Sequence, residues 1–522
     1  MKKPLIIVIF LTLGMGATRC TREQHSPPPN IVLIICDDLN DYSGAFGGHS
    51  QARTPNLDRL ASSAVRFSNA HSNFPVCAPS RNSLFSGVYP HVSGDFRWTP
   101  HYEQEVLQHN KNLIEYLGEN GYYTLGSGKL QHWNEEENWD QWGWDLNVYG
   151  PFAFDGEERV GHPSVPEPFR SIGPVDGSYA PLSDVPQFPL REDGKPTGWV
   201  YGPDDKMLNY VDEENRDPLP DEWHASWAAR KIEELEQAEP SQPFFLGIGF
   251  VRPHTPLYAP KRFFDMFPID ELELSEILEN DAEDTHYKDL YPASIKGLRY
   301  YRTLKESYGG DAEEGLKHFL QAYLACVAFV DEQVGKVVDA IDNSRFRENT
   351  VIIFTADHGW QMGEKDYLFK MSPWEESTRI PLLIRAPGAK RGSTVEHPVS
   401  LIDLWPTIAE LGHLKGDNRK DEKGAAIGGH SLVSFLQDPA SGDWEGPDGA
   451  LSMIGGKSEG NVYVPTFSYR TRDWRYIRYY DGSEELYHNS SDPYEWNNLA
   501  EDPAYAQQKA ALSTKMDALI PR

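Results

Sequence analysis

Three short apolar runs, each ending abruptly in charged or metal-ligating side chains, constrain this chain more than any other feature. Residues 30–36 run into Asp37-Asp38, residues 244–250 into Arg252-Pro253-His254, and residues 351–355 into Asp357-His358-Gly359. Runs this short and without polar alternation, the first of them also rich in β-branched residues, suit central parallel strands covered on both faces. Helical patterns alternate with them. Residues 54–60 read as a helix start with Thr54 as cap and Pro55 in the first turn, 112–120 as a second helix, and 314–342 as a long one. Tyr122-Tyr123-Thr124-Leu125-Gly126 adds a short strand. This alternation predicts an α/β sandwich. The polar residues fall just beyond strand carboxyl ends, where open α/β sheets gather their ligands.

The remaining organisation is less regular. Residues 134–225, rich in Pro, Gly, Trp and acid, read as long loops around the mouth of a site, and 260–308 as a similar mixed stretch. Antiparallel strands are expected at 463–469, 474–480 and 485–487, with a closing helix over 505–519. The expected division is a signal peptide and leader at 1–24, a catalytic domain at 25–410 and a smaller C-terminal subdomain at 411–522. Met1-Lys2-Lys3 and the apolar residues 4–15 form an export signal too short to span a bilayer, with cleavage near Ala17. The protein is therefore expected in the periplasm or secreted. Cys20 is a candidate lipid anchor, although Arg19 before it fits the bacterial acylation pattern poorly.

Charge narrows the partners. With 79 acidic against 49 basic side chains the net charge is -30, which disfavours nucleic acid or an anionic membrane as a bulk partner. An anionic substrate then needs a local basic pocket. The four cysteines, Cys20, Cys36, Cys77 and Cys326, have neither zinc-cluster nor disulfide-framework spacing. Cys36 and Cys326 read as buried small hydrophobes.

Adjacent carboxylates repel, so a buried Asp37-Asp38 pair needs a cation. Asp357-His358 at a second strand end lets carboxylates from two strands close around one hard ion, Ca2+ with Mg2+ as the alternative. Singly, each feature has a plain reading: a capping acid, a packed thiol, a loop histidine, a solvated lysine.

Together they do not. Cys77-Ala78-Pro79-Ser80-Arg81, closed by Gly87, resembles the Cys-x-Pro-x-Arg signature of the type I sulfatases. Lys129-Leu130-Gln131-His132, Arg252-Pro253-His254 and the run from Asp357 through Gly363-Glu364 to Lys370 resemble that family's other motifs, with Lys370 fitting better by spacing than Lys365. The His358 form of the metal motif resembles the iduronate-2-sulfatase branch. The resemblance implies an alkaline-phosphatase-like α/β sandwich, a large mixed, mostly parallel sheet between helices, plus a C-terminal antiparallel sheet. It implies that Cys77 is matured to formylglycine by a formylglycine-generating or anaerobic sulfatase-maturing enzyme. It also implies Arg81, Lys129, His132, His254 and Lys370 as catalytic residues, and Asp37, Asp38, Cys77, Asp357 and His358 around the metal. His358 is a direct ligand, a contact to the sulfate or an orienting partner for Asp357. The implied activity is sulfuric ester hydrolysis on sulfated oligosaccharides from glycosaminoglycan or an algal polysaccharide such as ulvan, acting from the chain end. Trp98, Trp133 and the Trp-rich stretch 139–144 are candidates to stack on sugar, or equally to pack loops. The alternatives are a formylglycine-dependent phosphonate or phosphate ester hydrolase and a non-catalytic glycan-binding relative.

Overall fold

The computed structural model describes residues 27–520 except 144–148, 190–194, 203, 239–241, 293 and 460–461. The expected leader, Cys20 and Trp144 lie outside the described residues. Four parallel strands form the centre of a nine-stranded mixed sheet. In spatial order they are Thr350–Ala356, Asn30–Asp37, Phe244–Pro253 and Tyr123–Gly128. Every residue of the first three is buried, which is why they read as unbroken apolar runs. Arg379–Arg385 pairs antiparallel with Thr350–Ala356 and then with Val65–His71, so the sheet is mixed but mostly parallel.

Helices pack on the sheet in two groups. The long helix Ala312–Asp342 lies with Pro55–Ser63 and Pro220–Ala238, and Cys77–Ser86 lies with Leu113–Glu119 and Leu404–Leu411. The long helix buries Leu316, Phe319, Leu320, Tyr323, Leu324 and Val327 at helical spacing, and Asp311 caps it by accepting from Glu314 N. Among the described residues no helix is long and apolar enough to cross a membrane.

Thr54 does not cap the helix Pro55–Ser63. Its hydroxyl accepts from Gly44 N, while Asp331 of the long helix takes the Asn56 and Leu57 N–H groups. A helix end is satisfied here by a distant carboxylate that local sequence does not reveal. Residues 134–225 are also more ordered than expected. Arg159–Val160, Phe152–Phe154, Gly198–Tyr201 and Lys206–Met207 form a second four-stranded sheet, its strands too short to show alternation. In the 260–308 stretch, Lys296–Ser307 is an amphipathic helix against the long one.

The smaller sheet runs Gly449–Glu459, Val462–Thr471, Arg475–Arg478 and Glu484–Tyr487, each strand antiparallel to the next. It backs the segment leading into Cys77. Met453 N donates to Asn73 O at 2.8 Å, Ser452 Oγ to Ser72 O at 2.6 Å, and Asn73 Nδ2 to Leu451 O at 3.2 Å.

Two glycines let one strand end ride over its neighbour. Lys129 N donates to Gly249 O at 2.9 Å, and a Cβ at Gly249 would stand 2.0 Å from Lys129 O. Gly128 has φ +84° and would carry a Cβ 2.1 Å from Gly249 O. Gly249→Ala is expected to cost about 1–3 kcal/mol of stability, because backbone must move to admit the methyl. A urea midpoint unchanged from the parent would contradict this close approach.

Candidate active site

The site forms where the four central strands end. Asp37 closes the first, and a register shift after Cys36 pairs it with Pro253 instead of continuing the ladder. Asp38 follows at φ +63°, its N–H 3.4 Å from Asp357 Oδ1 and its carbonyl accepting from Tyr323 Oη at 2.7 Å. Asp357 and His358 follow the strand Thr350–Ala356, His254 follows Phe244–Pro253, and Lys129 follows Tyr123–Gly128. The fifth contributor is the helix Cys77–Ser86. It is buried along its whole length and ends at Gly87, whose φ of +73° needs no Cβ and whose N–H returns to Ser83 O.

Cys77 sits at that helix N-terminus with three neighbours. Its Sγ lies 3.2 Å from Lys370 Nζ, 3.3 Å from His358 Nε2 and 3.4 Å from Asp37 Oδ1. Burial, then Asp37, pushes the thiol up despite the pull of Lys129 and Lys370, so it stays protonated and is a poor nucleophile as it stands. Arg81, one turn on, is fully buried. Its Nε donates to Asp357 Oδ2 at 2.8 Å and its Nη1 to the Lys129 and Leu130 carbonyls, with Nη2 3.7 Å from Asp37 Oδ1. Lys129 Nζ pairs with Asp37 Oδ2, and Lys370 Nζ with Asp38 Oδ1 at 2.6 Å. Lys365, the rejected alternative, is buried elsewhere against Asp281.

The adjacent carboxylates part company. Burial alone would raise Asp37, but Lys129, His254, Arg81 and Lys370 hold it well below the usual carboxylate range. Burial, together with the neighbouring Asp37 charge, drives Asp38 well above it against the pull of Lys370. Burial and mutual repulsion thus work against ionising the pair, and a further cation at this point would relieve both. Asp38 Oδ2, buried, takes no hydrogen bond from any described residue, and His254 Nε2 is 3.7 Å away. One oxygen or nitrogen each from Asp37, Asp38 and His358, and the Cys77 sulfur, lie within 4.8 Å of one another. His358 Nδ1 faces the Gly359 carbonyl at 3.1 Å, so the proton is on Nδ1 and the Nε2 lone pair faces the cluster, 3.5 Å from Asp38 Oδ1. The unpaired Asp38 oxygen and the inward-facing His358 Nε2 thus belong to a buried donor group that could hold a metal ion. Asp357 stands beside this set, its Oδ1 taking the His358 N–H at 3.0 Å.

His132 packs against Trp98 and Trp133, with ring centroids 4.7 and 4.4 Å away. Burial and the Lys129 charge bring it down to about 3, so it is neutral. Trp98 is 54% exposed at this rim. Trp139 and Trp142 instead pack together over Gly126, with Trp139 also against Phe245, and so belong to the core.

Sequence reasoning missed several supporting groups. Asp221 accepts from Val251 N and Arg252 N at 2.9 Å each and so fixes the turn carrying His254. Ser72 and Ser80 both donate to Asp357 O at 2.6 Å. Tyr149 stacks on His254. Ser80 is a variable position of the Cys77 run and Ser72 follows the strand Val65–His71, but neither position identifies its partner, and Asp221 and Tyr149 sit in no motif.

A family model described as Sulfatase matches residues 29–414. The chain belongs to the type I, formylglycine-dependent sulfatase family. A second model, for the C-terminal part of N-sulphoglucosamine sulphohydrolase, matches residues 363–521 of this sulfatase. It is 31% identical to a sulfatase of Formosa agariphila over 98% of this chain and 91% of that one. Iduronate 2-sulfatase of Mus musculus is 28% identical over 91% of each chain. The solved phosphonate monoester hydrolase of Agrobacterium radiobacter has the same fold, with TM-score 0.68 and 21% identity over 94% of this chain and 95% of that one.

Proposed function

We propose that this sulfatase removes sulfate from the ends of short sulfated oligosaccharides, of glycosaminoglycan or ulvan type, through a formylglycine made from Cys77. The observation that carries the reading is one buried sulfur in contact with Lys370, His358 and Asp37, which are themselves tied to Arg81, Lys129 and Asp38. His358 after Asp357, with the likeness to iduronate 2-sulfatase, favours that branch. We assign residues 25–410 to the catalytic domain and 411–522 to the smaller one. The basic-apolar leader supports export to the periplasm or beyond, with Cys20 as the position for a lipid anchor. A formylglycine-generating or anaerobic maturing enzyme is the required partner.

In this reading the Cys77 sulfur stands where a hydroxyl of the hydrated aldehyde will be. Formylglycine supplies one hydroxyl as nucleophile at sulfur and a second whose ionisation expels sulfate, a route closed to an ordinary serine or cysteine ester. Arg81, anchored by Asp357 and two carbonyls, holds positive charge at that position. Lys129 and Lys370, both kept charged by their carboxylate neighbours, face the same point and stabilise the sulfate oxygens as charge develops. His254 Nδ1 is occupied by the Thr255 carbonyl, which leaves Nε2 to carry a proton to the departing sugar oxygen. Burial and the lysines hold this imidazole well below its ordinary value, and an anionic ester beside it raises its proton affinity. Neutral His132 is the base for the second hydroxyl.

Asp37, Asp38, Asp357 and His358 would hold the single Ca2+, or Mg2+ in its place, next to position 77. When bound, the ion supplies the charge that keeps the carboxylate pair ionised and polarises sulfate oxygen. Adding Ca2+ to chelator-treated protein is expected to raise its melting temperature, since an ion at 100 times its Kd contributes about 2.7 kcal/mol. Asp38→Asn should lose that response; an unmoved melting temperature in the parent contradicts the metal assignment. The function is tested by desulfation of a panel of defined sulfated disaccharides, intact polymer and phosphonate monoesters. Turnover of a disaccharide is expected. Activity on polymer alone overturns the chain-end reading, and phosphonate as the preferred substrate overturns the sulfated-sugar reading.

A further inference from the structure

We propose that Tyr149 is a positioning residue that clamps the His254 imidazole and the Lys129 ammonium with one aromatic ring. The proposal rests on the reading above, in which both groups serve desulfation.

Three observations carry it. The Tyr149 ring stacks on His254 with centroids 4.5 Å apart and planes 29° apart. Lys129 Nζ lies 4.7 Å from the same centroid, inside the range where an ammonium is attracted to a ring face. The arrangement is also bolted at the backbone. Arg252 Nη1 donates to the carbonyls of Tyr149 and His254 at 3.2 and 3.3 Å, and Nη2 donates to Gly150 O at 3.1 Å. One guanidinium therefore holds the segment that carries the clamp to the turn that carries the histidine. Arg252 itself is fixed by Tyr258 O at 3.0 Å, and its backbone N–H by Asp221.

The consequence follows from what each group lacks alone. Among the described residues the His254 imidazole is hydrogen-bonded at Nδ1, which sets its tautomer, while its Nε2 stands 3.7 Å from Asp38 Oδ2, too far to fix the ring plane. Lys129 has a flexible stem whose ammonium is tied to Asp37. A flat ring against both restricts the imidazole plane and the ammonium to one relative geometry. Tyr149 is half-buried whereas His254 and Lys129 are buried, so the ring is the outer layer that separates them from water.

The test is a double-mutant cycle on the disaccharide turned over in the panel above, with kcat and KM measured separately. Tyr149→Ala is expected to lower kcat by about 10²-fold with little change in KM, the scale set by misplacing a reacting group. Tyr149→Phe keeps the ring and loses only the hydroxyl's hydrogen bond with Lys129, so it should recover most of the rate that Tyr149→Ala loses. Tyr149→Leu keeps the bulk without the ring and should stay slow, which separates the clamp from folding if the alanine variant is unstable. In a His254→Ala background the further loss from Tyr149→Ala should shrink, since contacting residues that act together are non-additive. Parent kcat in the alanine or leucine variant, a phenylalanine variant as slow as alanine, or full additivity would each overturn the proposal alone. His254→Ala at the parent rate would overturn it together with the reading beneath it.

Discussion

Cys77→Ser, made in a host that cannot convert serine, is expected to fold as the parent does and to lose turnover by on the order of 10⁴-fold or more. The fold should tolerate the change because serine is close in shape and finds polar neighbours. Lys370 Nζ and Asp37 Oδ1 stand 3.2 and 3.4 Å from the present sulfur. Turnover should collapse for a chemical reason. A serine oxygen that attacks sulfur becomes a sulfate ester with no second hydroxyl on the same carbon, so the bond between carbon and the bridging oxygen cannot be broken from within. Water would have to reach a hindered sulfur in a site where Cys77, Asp37, Asp38, Asp357 and His358 are all fully buried. Steady-state rates on the disaccharide, with a melting curve alongside, check both halves. Near-parent turnover would contradict the role given to position 77.

The largest effect on stability is expected at Arg475, far from any reacting atom. It is fully buried in the smaller sheet. Its Nε pairs with Glu495 Oε1 at 2.5 Å, its Nη2 with Glu375 Oε2, and its Nη1 donates to Pro373 O at 3.0 Å and Ser468 Oγ at 2.7 Å. Arg475→Met fills the space but takes the guanidinium from buried Glu495 and leaves Glu375 to Arg470, a loss of about 3–5 kcal/mol for breaking one side of a buried ionic group. The acid side of the stability curve gives a second readout. Burial by itself would raise Glu375, yet Arg470 and Arg475 hold it well below the usual range. A depressed carboxylate contributes stability above its unfolded value of about 4.3, and that contribution is lost as pH falls towards the folded value. In Arg475→Met the loss on acidification should be smaller than in the parent. Urea unfolding at neutral pH and at about pH 3, below the unfolded value, measures both. A neutral-pH loss below about 1 kcal/mol would show that the pairing is no stronger than a surface one.

Much of the architecture was legible because strand burial and chemistry coincide. The runs before Asp37, His254 and Asp357 are apolar on both faces, so their class and direction follow from composition, and the polar residues mark their carboxyl ends. The Cys77–Ser86 helix is marked by no apolar stripe, because every one of its residues is buried; only its chemistry-bearing run stood out in the sequence. What stayed hidden is whatever depends on distant partners. Asp331 capping the helix Pro55–Ser63, Asp221 fixing the turn before His254, and Arg252 joining Tyr149 to that turn act across long stretches of chain. The strand Gly449–Glu459 was missed because Gly455-Gly456 interrupts its pattern, as a register shift there confirms. Tryptophans 139 and 142 illustrate the converse, since aromatic residues in a polar, Gly-rich stretch look like sugar platforms until Gly126 is seen to need them as cover.

The most direct measurement is the mass of the tryptic peptide spanning residues 67–81 from active enzyme produced in its natural host. The account predicts an aldehyde at position 77 in place of the CH2–SH group, in proportion to the specific activity of the preparation. Fully active enzyme carrying the intact thiol would contradict it.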